Sequence, residues 1–541
     1  MKNIKQISGN IVDLINGRIY PGTLRIRNGI IADIIEEDHE YDNYLIPGLV
    51  DAHIHIESSM LTPAEFARLA VIHGTVAVVS DPHEIANVLG INGVRYMVDN
   101  GKKVPFKFYF GAPSSVPASG FETAGAELNA AQIEELFRQD KLKFLSEMMN
   151  YPGVLNNASE VMAKIEIAHK YHKPVDGHAP GLKGEDLKKY VQAGISTDHE
   201  AFQLEEGLEK IGKGMKILIR EGSAAKNFHE LHGLILRYSH QCMFCCDDKH
   251  PNDLLQGHIN EMVKMALEKG YDKMKVLQCA TVNPVQHYGL EVGLLQKGDP
   301  ADLALIDGFE KFNILETYIN GVLAARDGVS LIPRVRSQVI NNFKAKPKKP
   351  LDFAIKAETN EIDVIEVIDG ELITNRLRVA PKVEDGALRS DPERDLLKIT
   401  VVNRYREESP VVAFIKNFGL KQGALASSVA HDSHNIVAVG VSDEDLARAV
   451  NLIIMHKGGL GAVGDGWEEI LPLPVAGLMS VEDGYKVAED YQRIAAKAKE
   501  LGSDLKDPFM TMSFMTLLVI PELKISDRGL FDGHNFRLVN E

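Results

Sequence analysis

The stretch PGLVDAHIHIES, residues 47–58, ends an apolar run with His53 and His55 one residue apart. In an extended segment side chains alternate with a period of two, so both imidazoles project from one side of a strand, as a chelating pair would. One H-x-H is weak evidence by itself, and the rest of the chain must decide. Further ligand-type residues close other apolar runs: Glu147 in LKFLSEMMN, His178 in KPVDGHAP, His199 in GISTDHE, and Asp247 with Asp248 in QCMFCCDD. Singly, each has an ordinary reading as a core histidine, a capping acid or a turn. Together, ligand-type groups end five separate apolar runs, and buried polar groups need partners, which points to a metal site. Four histidines with two carboxylates suit Zn²⁺, Mn²⁺ or Fe²⁺ and exceed what one tetrahedral ion requires, so two ions are expected.

These residues need elements that bring them together. From Asn3 to Asp42, short alternating runs split by Asn-Gly pairs read as β-hairpins. From Leu45 onward, short apolar runs alternate with longer amphipathic stretches, as β/α units do. The strand candidates are YLIPGLVDAHIH, GTVAVVSD, FKFYFGAPSS, LKFLSEMMN, KPVDGHAP, GISTDHE, MKILIREGS and QCMFCCDD, eight in all. Helices are predicted over 63–73, 131–139, 159–171, 186–193 and 227–238, several opened by Thr, Asn or Ser caps. The fold class is therefore α/β, a (β/α)₈ TIM-like barrel over residues 47–289. Chemistry in such barrels sits at the C-terminal strand ends, where the ligand-type residues fall. Hairpin-like sequence returns in LQKGDPADLALID and ILETYINGVLAARDG, so residues 290–340 are expected to join 1–46 in a small β-sandwich domain. The basic, proline-bearing run NNFKAKPKKPLD reads as a linker to a C-terminal α+β domain, 350–541, with a helix over 443–455.

At 541 residues the chain exceeds one hydrophobic core. Its 45% hydrophobic and 25% charged content is that of a soluble globular protein. A net charge of -16 disfavours nucleic acid as a partner. The four cysteines do not resemble a disulfide framework, so a reducing cytoplasm is expected. No long apolar stretch or signal-like h-region is found, so no membrane partner is expected.

PGLVDAHIH, the strand-four acid, the strand-five and strand-six histidines and the strand-eight aspartate resemble the amidohydrolase superfamily. More narrowly, DAHIHIESSML, SDPHEIANV, LSEMMNYPGV, DGHAPGL, STDHE and FCCDDKHP resemble the bacterial adenine deaminases, and the likeness runs through the whole chain. The resemblance implies a binuclear site of two divalent ions, Mn²⁺ or Fe²⁺ in preference to Zn²⁺. His53 and His55 would hold one ion, His178 and His199 the other, with Glu147 bridging and Asp247 also at the metals. Lys143, four positions before Glu147 and read as facing the same way, is the alternative bridge; Glu147 is nearer the strand end and needs no modification. The implied activity is hydrolysis of adenine to hypoxanthine and ammonia by a metal-activated hydroxide, a step of purine salvage. Asp247 is expected as general base, with Asp248 as alternative, and Asp81, closing strand two in SDPHE, as a proton relay or partner of a ligand. A homo-oligomer, a dimer, is expected.

Two rival readings stand: an amidohydrolase acting on another aminopurine or cyclic amide or amidine, and a barrel kept as a non-catalytic scaffold. A zinc deaminase of the base-editing type is disfavoured, because H-x-E with P-C-x-x-C is absent. His83 and Glu84 read equally as orienting groups or as a surface loop. HDSHN, 431–435, reads as a polar loop that could reach the barrel mouth, and GGLGAVGDG, 458–466, as a turn region.

Overall fold

The computed structural model describes residues 5–539; residues 1–4 of the expected small β-domain and 540–541 of the expected C-terminal domain lie outside them. The centre of the molecule is a ring of eight short strands: β1 (Leu49–His55), β2 (Thr75–Ser80), β3 (Lys107–Phe110), β4 (Leu145–Met148), β5 (Val175–Gly177), β6 (Thr197–Asp198), β7 (Lys216–Arg220) and β8 (Cys242–Cys245). Neighbours pair in parallel from β1 to β3, from β4 to β5 and from β6 to β8. The bridges Ala112–Leu145 and Val175–Ile195 join these groups. Asp247 and Asp248, just beyond β8, pair with Ile54 and His55 and close the ring. Every residue of β1 and β2 is buried, which is why these strands read as unbroken apolar runs rather than alternating ones.

Helices surround the ring at the predicted places, with local departures. Pro63–Ala70 starts with proline in its first turn after Thr62, and Asn129 with Gln132 forms a capping box on Ala130–Glu135. That helix runs on as a π-helical turn, Leu136–Asp140. The stretch 227–238 divides into Phe228–Leu231 and Leu234–Tyr238 at His232-Gly233.

Both flanks of the barrel enter one eight-stranded sheet. Leu303–Ile306 pairs with Tyr44–Pro47, which in turn pairs with Lys5–Asp13. Bonds from Ile31 N to Asp299 O and from Ala301 N to Gly29 O bring the far edge back across, enclosing Ile7, Ile11, Leu24, Leu45, Leu303 and Tyr318 in their own apolar cluster.

Beyond the linker a second eight-stranded sheet uses its two faces differently. Ala424, Ala426, Ile436, Ala438 and Val463 pack against the helix Asp443–His456, whose N-cap is Ser442. Their alternating neighbours Leu425, Val437, Val439, Leu460 and Ala462 belong to the large core that is continuous with the barrel. The reading of GGLGAVGDG as a turn is corrected here: Gly459–Gly464 is a fully buried strand, and only Asp465-Gly466 turns the chain into Trp467–Pro472. Its glycines answer close packing, since a Cβ on Gly459 would lie 2.5 Å from Leu471 O and one on Gly464 2.4 Å from the Trp467 ring.

Candidate metal centre

Seven of the eight strand ends send side chains into one cleft at the C-terminal rim of the ring. His53 and His55 come from β1, Glu147 from β4, and Arg220 is the last residue of β7. Asp81, His178 and His199 follow β2, β5 and β6 directly, and Asp247 follows β8 by two positions with a left-handed backbone, φ 60°. All six residues expected as ligands are buried and converge. His53 Nε2 lies 3.2 Å from His55 Nε2 and 3.4 Å from Asp247 Oδ1. Glu147 reaches both histidine pairs: Oε1 lies 3.4 Å from His55 Nε2, while Oε2 lies 2.9 Å from His178 Nδ1 and 3.1 Å from His199 Nε2. Lys143 is elsewhere, half-exposed with its Nζ 3.6 Å from Glu291, so it does not share the face of Glu147 as the alternation suggested.

The donor set asks for positive charge. His55 Nδ1 lies 3.1 Å from the carbonyl oxygen of Asp81, which can only accept, so this nitrogen carries the proton. In the neutral ring Nε2 is then a bare lone pair, and it faces Asp247 Oδ1 at 3.1 Å, Glu147 Oε1 at 3.4 Å and the other imidazole. Electron pairs so arranged repel unless a cation lies among them, and the residues fit a divalent ion on that ground. The same negative surroundings raise His55 and His178 and favour their charged forms. Burial would push Glu147 up, yet His178 and His199 outweigh it and hold the carboxyl well below its usual range. Burial would lower His178, and Glu200 with Glu147 instead raises it to about 9. Asp247 likewise resists burial and stays well below its usual range, chiefly because of Arg220. Asp248 moves the other way, raised by burial and by the charge of Asp247, and accepts a hydrogen bond from Ser58 Oγ.

Arg220 and Glu200 were not singled out from the sequence. The Arg220 guanidinium is fully buried and donates to Glu200 Oε1 at 2.5 Å and to Asp247 Oδ2. Glu200 Oε1 in turn lies 3.4 Å from His199 Nε2. The signal was an arginine ending an otherwise apolar strand, MKILIR, and an acid directly after a ligand, DHE. Further tethers lie beneath. Asp51 Oδ1 accepts from the backbone of His53 and Cys246, and Lys210 Nζ joins Ala179 O to Asp198, so β1 is tied to β8 and β5 to β6.

Two uncertain readings resolve together. His83 and Glu84 are buried in the mouth, not on a surface loop: Asp81 Oδ2 lies 3.1 Å from His83 Nδ1, so Asp81 braces His83 as well as His55. HDSHN is not a free polar loop either, because His431 Nδ1 lies 2.7 Å from Glu84 Oε1 and His434 Nε2 bonds Glu84 Oε2. The resulting cavity has Met149, Leu372, Phe514 and Leu517 as its apolar wall. Three of those four residues come from beyond the linker.

A barrel whose rim carries such a donor set defines a metal-dependent hydrolase. Residues 44–324 match the Amidohydrolase family, and residues 371–537 match the Adenine deaminase C-terminal domain. The chain is 53% identical to an adenine deaminase of Salinibacter ruber, over 99% of this chain and 98% of that one. It is 54% identical to the adenine deaminase of a Sulfurovum species, over 99% of both chains, and 50% identical to that of Methanosarcina mazei, again over 99% of both. The chain belongs to the adenine deaminase family of amidohydrolases.

Proposed function

We propose that the protein hydrolyses adenine to hypoxanthine and ammonia, as a step in purine salvage, using two divalent ions at the barrel rim, Mn²⁺ or Fe²⁺ rather than Zn²⁺. The observation that carries this is the convergence of His53, His55, Glu147, His178, His199 and Asp247 in one buried cleft of a chain about half identical to adenine deaminases along its whole length. His53 and His55 would hold one ion, His178 and His199 the other, and Glu147, with an oxygen toward each pair, would bridge them. Bound there, the ions supply Lewis acidity that makes water nucleophilic near neutral pH.

The remaining work falls to side chains. Asp247, kept ionised by Arg220, accepts the proton of the attacking water and returns it to the departing amine. Asp248, with its raised carboxyl, is the neighbouring donor. Asp81 fixes His55 through its carbonyl and His83 through its carboxylate. Met149, Leu372, Phe514 and Leu517 confine the planar ring and exclude water. The enzyme works in the cytoplasm as a dimer.

The test is one assay. Purified protein is stripped, reloaded with Mn²⁺, Fe²⁺ or Zn²⁺ separately, and offered adenine, guanine, adenosine and cytosine while ammonia is followed. Release from adenine, fastest with Mn²⁺ or Fe²⁺, is expected. Release from guanine but not adenine overturns the substrate assignment.

A further inference from the structure

Asp432, supplied by the C-terminal domain, is 3% exposed and lines the cavity beside the metal ligands. Its Oδ1 faces His431 Nδ1 at 3.7 Å and His83 Nε2 at 3.8 Å, while its Oδ2 is buried with no hydrogen-bond partner among the described residues. The loop that carries it is rigidly held. His431 stacks on Phe514 with ring centroids 4.8 Å apart, Tyr405 donates to Ser433 O at 2.6 Å, and Arg404 donates to His434 O at 3.1 Å. Burial would neutralise the carboxyl, but His431 and His83 hold it below its usual range, so the orphan is an anionic acceptor. A buried acceptor left without a donor is costly, which marks a place where a ligand supplies one.

A free purine base differs from its nucleoside in one respect that matters to such an acceptor: its imidazole ring carries an N–H. We propose that Asp432 Oδ2 accepts this N–H, so that the C-terminal domain selects the free base and rejects purines substituted on that ring. The proposal rests on the adenine-deaminating reading. A ligand lacking the N–H would leave the buried carboxylate oxygen unpaired, and a site built to bond an N–H discriminates strongly against analogues without it.

The experiment compares the metal-loaded full-length protein with Asp432→Ala and Asp432→Asn, using adenine and 9-methyladenine, with metal content measured on each sample. The unsubstituted protein should strongly prefer adenine. In Asp432→Ala, kcat/KM for adenine should fall by about 10- to 100-fold, with little change for 9-methyladenine, so the preference collapses. Asp432→Asn keeps the shape and a neutral acceptor, should fall by less in the same direction, and decides the matter if the alanine variant does not fold. Equal losses on both substrates overturn the proposal. A drop in metal content also overturns it, because Asp432 would then join His83 and Glu84, which lie close enough to share a cation. If the unsubstituted protein releases ammonia from neither base, the deamination reading itself fails and takes this inference with it.

Discussion

Asp247 and Asp248 are adjacent carboxylates with opposite fates, and the difference is one guanidinium. Arg220 contacts the first and not the second, so Asp247 stays ionised while burial and its neighbour's charge raise Asp248. Asp247→Asn keeps the side-chain shape and the histidines, and should retain bound metal while losing about 10²- to 10⁴-fold in kcat, read from elemental analysis beside steady-state rates. A second carboxyl gives a pH signature. Burial, with the nearby charge of Asp432, raises Glu122 from 4.5 to about 8. A raised acid favours the native state fully below pH 4.5, and that advantage is lost as pH rises toward 8. Glu122→Gln should therefore be more stable than the unsubstituted protein at pH 8 by up to a few kcal/mol, with the gap closing near pH 4.5 in urea titrations. Of the residues at this site, those at strand ends with metal-binding chemistry were legible from the sequence. Arg220 was not, because a charged residue after MKILI also reads as the solvent end of a strand, and only the fold shows two carboxylates waiting for it.

Strands and helices that carry their own local signals were found, and those shaped by packing were misread. Asp443–His456 announces itself with a Ser442 cap and an apolar face, and β1 and β2 with unbroken apolar runs. Gly459–Gly464 looks like a turn because glycine usually is one, yet its small residues exist to let neighbouring backbone and Trp467 approach. The segments forming the cavity roof have no sequence signature, since nothing local says that Leu372 and Phe514 meet. Lys524 joins them. From a fully buried position in Leu523–Ser526 it donates to Leu372 O at 2.6 Å and Phe514 O at 3.0 Å, and burial lowers it to about 7. Lys524→Met should raise KM for adenine roughly five- to tenfold by freeing these carbonyls, with bound metal unchanged. Unaltered KM would show that the roof holds itself.

At the scale of the whole chain, catalysis belongs to no single part. The barrel rim supplies the donors, while Leu372, His431, Asp432, Phe514 and Leu517 complete the chamber from the other side of the linker. Arg404 pins the linker to the covering half: fully buried, it donates to His434 O and Ala476 O in the C-terminal sheet region and to Asn341 and Asn342 in the linker. Arg404→Met should cost about 3–5 kcal/mol in chemical denaturation, since three of its four acceptors lose their donor while Asn341 Oδ1 keeps that of Asn342 N, and should lower kcat/KM together with stability.

Because Asp248 is the last barrel residue in the chamber and Leu517 the last from the covering half, a ribosome must add 269 further residues (517 − 248) between them. At about 5–20 residues per second, some tens of seconds separate the synthesis of the last ligand-type residue from that of the last covering one. Over that interval His55, Glu147, His178, His199 and Asp247 wait for the Leu372, Phe514 and Leu517 side of their chamber to be made.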